Sequence, residues 1–547
     1  MKLLKYGLPL AALALMASCS NDNIDAPQTG ADPAPETLGN VFMNLTLSMP
    51  SDKGPGTKAE SFDDGSEYDV EDAKLFIFNE DGNKAGTCVA ALTLSFDDPG
   101  ITGGGTTNVT GTLDVNKIQM PKEVEKKSGT NYYALVILNT KYINCPVVGT
   151  STWDSWSTSA QDKSVSPMMD SNKKYFTMTN ALGLTGEITE NSVPTQLVKF
   201  GDSNLYYETD TPKPSALAIY VQRVVAKVTL GTEGNIKVGD DFSSLNGNSG
   251  AATTDKVKLT NWYLDVENGS TYPVQLMENT TTKWNNSLIA DWSTLTEQTK
   301  RFLGSQDDFN RVYWAIDPNY DADQGTAPKT NTESSNDKDA KFYPFENTFS
   351  IANMVQSQST RIVFEGVYAV GGKTTDVPSF VGYNGLYKAV ENLNTEANKS
   401  GKNKKLADIV NDDAELKSLA SYFNVATDAE VIDFYFEGKV YYTAIIRHFE
   451  DDDLGIKGNL SPWELKYENY TKIPESETVK GDNYLLGRYG VVRNNWYIIN
   501  INKVTGPGEP VVPTPDPNTP DDKPAKFYLD ADINILSWAK RSHGYDL

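Results

Sequence analysis

Few side chains in this sequence are of the types that make or break bonds. The chain holds two histidines, His448 and His543. His448 lies in AIIRHF, which reads as a strand, and His543 is close to the last residue. Ser–His–Asp or Cys–His catalysis would have to use one of them, and no G-x-S-x-G elbow accompanies either. Zinc held by a His/Cys cluster has no matching spacing. Gly103–Gly105 lacks the lysine and the helix that a phosphate loop needs. Asp321 and Asp323 with Gly325 resemble the start of a calcium loop, but the remaining ligands and a closing Glu at the right spacing are missing. Carboxylate pairs occur throughout a chain with 73 Asp+Glu, so they carry no signal for glycoside hydrolysis. The sequence therefore reads as a non-enzyme with no cofactor and no metal.

The chemistry it does favour is done to the chain by other proteins. Met1–Ser18 has a basic start at Lys2 and Lys5, then a short apolar stretch from Leu8 to Ala17 closed by MASC (Met16–Cys19). That is a signal peptide rather than a membrane span. Cys19 follows small residues, where a lipoprotein signal peptidase would cut, and its thiol would carry a diacylglycerol. Several acyl chains anchor firmly, each buried methylene adding about 0.8 kcal/mol. The plainer alternative for that stretch is ordinary secretory cleavage, with Cys19 lost or incidental. The second target is Lys58, between Gly56, Thr57 and Ala59. A trypsin-like protease fits that site, and Lys53 beside Asp52 is a poorer competitor. Cys88 and Cys145 read as two buried thiols, with a single disulfide as the alternative.

The elements around these targets are strands. VFMNLTLSM (Val41–Met49) alternates, with Val41, Met43, Leu45, Leu47 and Met49 on an apolar face. AKLFIFNEDGNKAG predicts a hairpin turning at Asp81–Gly82, and NYYALVILNT (Asn131–Thr140) a strand buried on both faces. Further strands follow in KVKLTNWYLDVENGS, NRVYWAIDP, TRIVFEGVYAV, VIDFYFEGKVYYTAIIRHF and NNWYIININKV, and Leu406–Phe423 reads as a helix. The pattern is all-β, with two sandwich-like domains in tandem joined near Gly231–Asp255. A net charge of −24 argues against nucleic acid and against docking on anionic lipid by charge, so the membrane is met only through the lipid.

After Val504 the texture changes. GPGEPVVPTPDPNTPDDKPAK reads as an extended, semi-rigid tether. Then Phe527, Leu529, Ala531, Ile533 and Ile535 alternate with Tyr528, Asp530, Asp532 and Asn534. The chain thus begins and ends with an amphipathic strand on a tether. Fully extended, some 20 residues reach about 60 Å at ~3.1 Å per residue, further than a strand closing its own sheet requires. Strand addition across chains uses main-chain hydrogen bonds for affinity and alternate side chains for fit. A cut after Lys58 would free the first strand and empty a groove. The last strand of another copy would fill it.

At this point the residues resemble a known family. YGVVRNNWYIININKVTGPGEP (Tyr489–Pro510) is similar to the C-terminal signature of the Bacteroidales fimbrillins, pilins of type V pili, and most like the short-fimbria (Mfa-type) branch. YPFENT (Tyr343–Thr348), TRIVFEGVY (Thr360–Tyr368), VQRVVAKV (Val221–Val228), the MASC lipobox and the terminal INILSW also fit. The resemblance implies two transthyretin-like β-sandwich domains, lipoprotein export to the outer membrane, surface cleavage after Arg or Lys, and a C-terminal donor strand for the next subunit. Lys58 stands where the best-known relatives have Arg. The expected division is a signal peptide over 1–18, a propeptide with a removable strand over 19–58, sandwiches over 59–235 and 236–503, and a tether with donor strand over 504–547. The expected partners are other copies, accessory fimbrial subunits and the maturation protease.

The residues support two other readings. A surface glycan-binding lipoprotein would share the anchor and the sandwiches, with Trp153 and Trp156 stacking on sugars. An accessory tip or anchor subunit would use only one of the two strands.

Overall fold

The computed structural model describes residues 38–48, 67, 69–95, 107–108, 112–181, 183–184, 196–246, 252–276, 310–311, 314–320, 334–350, 353–448, 487–519, 521 and 529–537. Cys19, Met49, Lys53, Lys58, Ala59, Phe527, His543 and the Asp321–Gly325 loop lie outside them. The described chain is mostly β-strand with a few short helices, so the fold is all-β. It forms two compact units. The first draws on residues 38–48, 67–178 and 197–219, and the second on 179–196 and everything described from Tyr220 onward.

One sheet, most of it in the first unit, has nine strands among the described residues. Its order is Leu205–Tyr207, Leu38–Ser48, Leu217–Arg223, Met178–Asn180, Asn131–Leu138, Ala73–Asp81, Lys84–Thr93. Thr112–Pro121 also pairs with Leu38–Ser48, and Val198–Gly201 with Asn131–Leu138. Asn131–Leu138 is buried along nearly its whole length because it runs between paired neighbours. The hairpin turn lies one residue later than the Asp81–Gly82 expectation. Asp81 pairs with Lys84, leaving Gly82 and Asn83 as the loop, and Gly82 takes the positive φ (64°) that a two-residue turn needs. Cys88 and Cys145 are buried and form no disulfide, and each sulfur is directed at a backbone carbonyl.

In the second unit two four-stranded sheets enclose one core. One is ordered Lys341–Phe342, Lys227–Leu230, Asn495–Val504, Leu529–Ser537, and the other Ser243–Asn246, Ala252–Asp265, Arg361–Ala369, Lys439–Ile445. Trp262, Phe364, Tyr368 and Tyr442 from one sheet meet Val228, Tyr497, Ile499 and Ile501 from the other. A third sheet (Leu386–Ala389, Phe380–Tyr383, Ile432–Tyr435, Gly401–Lys404) packs with short helices on a smaller core of its own around Leu406, Ile409, Leu419, Phe423 and Phe434.

Three sequence expectations change here. Of NRVYWAIDP, only Asn310–Arg311 is strand among the described residues. Leu406–Phe423 is two helices, Leu406–Ile409 and Asp413–Phe423. The Asp412 carboxylate caps the second by accepting from the Glu415 N–H at 2.8 Å. The run expected as one strand from Val431 holds two, Ile432–Tyr435 and Lys439–Ile445, in different sheets and broken at Phe436–Gly438. Gly438 has φ 70°, and a Cβ there would sit 2.5 Å from the Tyr368 carbonyl oxygen. Among the described residues no helix is long and apolar enough to cross a membrane.

Both thiols are expected to resist a maleimide reagent in the folded chain and to react after denaturation. Labelling of either one under native conditions would contradict their burial.

Candidate assembly site

Leu38–Ser48 pairs with Thr112–Pro121 and Leu205–Tyr207 and runs beside Leu217–Arg223. Val41 stands opposite Tyr207, Leu45 opposite Val115 and Leu47 opposite Leu113. Met43, Leu45 and Leu47 are 0% exposed and Val41 is 6% exposed. Four buried side chains of this size contribute on the order of 6–12 kcal/mol of transfer free energy, an upper estimate. The opposite face is also engaged. The Asn44 Oδ1 accepts from the Lys117 N–H and the Tyr206 hydroxyl, both at 2.9 Å. Thr46 donates to Asp114 at 2.7 Å, and Phe42 stacks on Tyr206.

The last strand, Leu529–Ser537, lies in the second unit at the edge of its sheet, antiparallel to Asn495–Val504. The register sets Leu529 opposite Val504, Ala531 opposite Ile501, Ile533 opposite Ile499 and Ile535 opposite Tyr497. Those partners are core residues, and Ile533 packs against the same core. The first strand is thus paired on both edges and the last on one. Each is paired in a sheet of its own.

The tether departs from the free linker expected from its prolines. The Tyr442 hydroxyl donates to the Gly506 carbonyl at 2.9 Å, and the Tyr435 hydroxyl to that of Gly508 at 3.0 Å. Tyr441 and Glu509 exchange two backbone hydrogen bonds at 2.8 and 2.9 Å. Arg361 Nη2 donates to the Pro513 carbonyl at 2.5 Å. Further on, the Gln356 N–H donates to the Thr519 carbonyl and that of Asp521 to the Met354 carbonyl. The Ser359 hydroxyl donates to the Asp521 carboxylate. Sequence reasoning missed this docking. The one hint was Arg361, a cation within an apolar strand.

The motif segments meet around Glu346 and Arg493. Asn347 and Val491 exchange backbone hydrogen bonds at 2.7 and 2.8 Å, joining YPFENT to YGVVRNN. The Asn494 N–H donates to the Val225 carbonyl and that of Ala226 to the Pro344 carbonyl, adding VQRVVAKV. Arg493 Nη2 donates to Glu346 Oε2 at 2.5 Å, to the Tyr272 carbonyl at 2.9 Å and to the Thr271 hydroxyl at 3.2 Å. Both charged side chains are 0% exposed. Burial pushes the Glu346 carboxyl up, and Arg493 works against that shift. Asn494 turns the chain at φ 57°, and the Asn495 amide donates to the Val492 and Arg493 carbonyls.

Nearby, Asp317 accepts from the N–H groups of Thr348 (2.5 Å) and Asn319 (2.6 Å). Its carboxyl is pushed up to about 7, chiefly by burial. His448 is buried, with Nδ1 2.7 Å from the Tyr497 hydroxyl; that hydroxyl accepts from the Val492 N–H. These groups tie connecting segments to strand Asn495–Val504 and to one another. Trp156 is buried and donates to the Asn144 carbonyl, while Trp153 meets the ring of Phe78 edge-on. The two do not form an exposed stacking pair for a sugar. Among the described residues no group of three or more His, Cys, Asp or Glu is placed to hold a metal.

Residues 464–544 match the family model of the major fimbrial subunit protein type IV, fimbrillin, C-terminal. The chain is fimbrillin-like. That match contains YGVVRNN, the docked tether and the last strand, and the matched family is a structural subunit rather than an enzyme. A search of the curated proteins finds no match. Among solved structures, a fimbrilin from Porphyromonas gingivalis is 13% identical, with a TM-score of 0.36, covering 92% of this chain and 98% of that one. A candidate cell adhesion protein from Parabacteroides distasonis is 10% identical, with a TM-score of 0.36 and the same coverage. A fimbrial assembly protein from Parabacteroides distasonis is 10% identical, with a TM-score of 0.26, covering 59% of this chain and 81% of that one. At such TM-scores the likeness decides nothing, and the fold rests on the strands described above.

Two outcomes follow for the second unit. Asp317 holds its proton to about pH 7 when folded and to about pH 4 when unfolded. Between those values the unfolded chain binds fewer protons, so stability falls as pH rises, by up to about 1.4 kcal/mol per pH unit. Asp317→Asn is expected to flatten that slope in urea titrations run from pH 4 to 8; an unchanged slope would place the effect elsewhere. Arg493→Met leaves a buried carboxylate alone and is expected to cost about 3–5 kcal/mol, much of it recovered by adding Glu346→Met. Chemical denaturation of the single and double variants measures both effects.

Proposed function

We propose that this chain is a structural subunit of a type V fimbria serving adhesion. It is exported as a lipoprotein anchored through Cys19, cut between Lys58 and Ala59, and polymerised when the last strand of one copy fills the groove left by the first strand of another. The observation that carries this reading is the burial of Val41, Met43, Leu45 and Leu47 on a strand paired along both edges. A strand so seated, just upstream of a Gly/Pro-rich stretch with one lysine at its scissile position, is a plug that proteolysis can release. The alternation of Leu529, Ala531, Ile533 and Ile535 gives the replacement its apolar face, and the C-terminal family match adds support. Surface-exposed fimbriae and a lipid-anchored precursor in the outer membrane are the two locations this implies. The presence of both a plug and a donor suits a repeating stalk subunit better than a tip or an anchor.

The test is the N-terminus and intact mass of the protein recovered from the bacterial surface. A chain beginning at Ala59 without lipid is expected. A chain beginning at acylated Cys19 would overturn maturation and favour an anchor subunit or a glycan-binding lipoprotein. Lys58→Ala is expected to trap the uncleaved lipoprotein, and normal fibres from that variant would move the cut elsewhere. Deleting residues 527–547 is expected to leave exported monomers and no ladder on gels, whereas ladders would exclude the last strand as donor.

A further inference from the structure

We propose that Gly506–Asp521 is a strap that stays docked on the second unit when the chain joins a neighbour, so that the last strand is delivered from a fixed point at Asp521. This rests on the reading of Leu529–Ser537 as a donor. The prolines at 507, 510, 513, 515 and 517 carry no N–H, so the strap has fewer backbone donors to satisfy than an ordinary segment of its length. The carbonyls of Gly506, Gly508, Glu509, Pro513 and Thr519 accept from groups of the second unit. Arg361 is fixed by Asp265, with Nε and Nη2 at 2.8 and 2.6 Å from Oδ2, and this pair aims the guanidinium at the Pro513 carbonyl. Arg361, Asp265 and Asp521 are all buried. Gly508 has φ 55°, and a Cβ there would lie 2.4 Å from the Tyr441 carbonyl oxygen, so the strap approaches that strand as closely as backbone allows.

The consequence is a shorter reach. A free tether would let the last strand search about 60 Å. From Asp521, the seven residues before Leu529 span at most roughly 25–30 Å. A docked strap also carries load directly from the donor strand into the core of its own subunit, through Arg361 and the Tyr441–Glu509 backbone bonds. Arg361, Ser359 and Asp521 are positioning residues for the linkage; they do not form it.

Hydrogen exchange of the Gln356, Tyr441, Glu509 and Asp521 amides, all donors in the strap contacts, tests this without a variant. Protection is expected in the monomer and, undiminished, in the polymer. Loss of protection on polymerisation would mean that the strap peels away. In S359C/D521C, the paired thiols bridged by dibromobimane lock the strap down. Bridged chains are expected to polymerise after cleavage with no loss relative to unbridged ones. A bridged chain that fails while the unbridged chain polymerises overturns the strap alone. Failure of the wild-type chain to polymerise after cleavage overturns the proposed function, and the strap's role with it.

Discussion

A strand removed from within a sheet leaves two rows of unpaired N–H and C=O groups and an apolar trough between them, and another strand is the natural object that repairs both. Leu38–Ser48 is such a strand. Its apolar side chains are out of water and its backbone is paired with Thr112–Pro121 on one register and Leu205–Tyr207 on another. The last strand sits differently, on the edge of its sheet, with a single partner. On the proposed reading this asymmetry gives the exchange its direction. A strand that leaves an edge seat for a vacated interior one gains a second row of hydrogen bonds and a deeper trough.

On the proposed reading the second unit is the body from which that strand is presented. Glu346, Asn347, Val491, Arg493, Asn494 and Val225 lie far apart in sequence yet meet in one buried network. A buried ion pair is weak support for stability on its own, because desolvation offsets much of the attraction. The Arg493–Glu346 pair lies just before Asn495–Val504, which runs parallel to Lys227–Leu230 with Trp496 opposite Lys227 and Ile499 opposite Leu230. The same strand then offers its other edge to Leu529–Ser537.

Much of this was legible in the sequence, for a local reason. Alternation over Val41–Leu47 and over Leu529–Ile535 is a period-two signal that needs no tertiary context. The two strands were readable on those terms. The partner of Arg493 was not, because nothing local marks Glu346 as its counter-ion. The strap was misread because proline-rich composition reports chain stiffness and says nothing of which carbonyls a distant Arg361 or Tyr442 will reach. Trp153 and Trp156 looked like surface aromatics because flanking Ser and Thr hide the fact that the Trp156 indole points at the Asn144 carbonyl. The break at Gly438 escaped notice because both flanking runs are strand-like, and only the crossing Tyr368 backbone makes glycine necessary.

Assembly of the proposed kind requires that the bed of the first strand accept the last strand of another copy. The most direct measurement is calorimetric titration of a synthetic peptide of residues 527–537 into two forms of the protein. One is the chain cut after Lys58 and freed of residues 19–58; the other is the uncut chain. One-to-one binding to the cut form and none to the uncut form is the predicted result. Equal binding to both forms, or binding to neither, would contradict it.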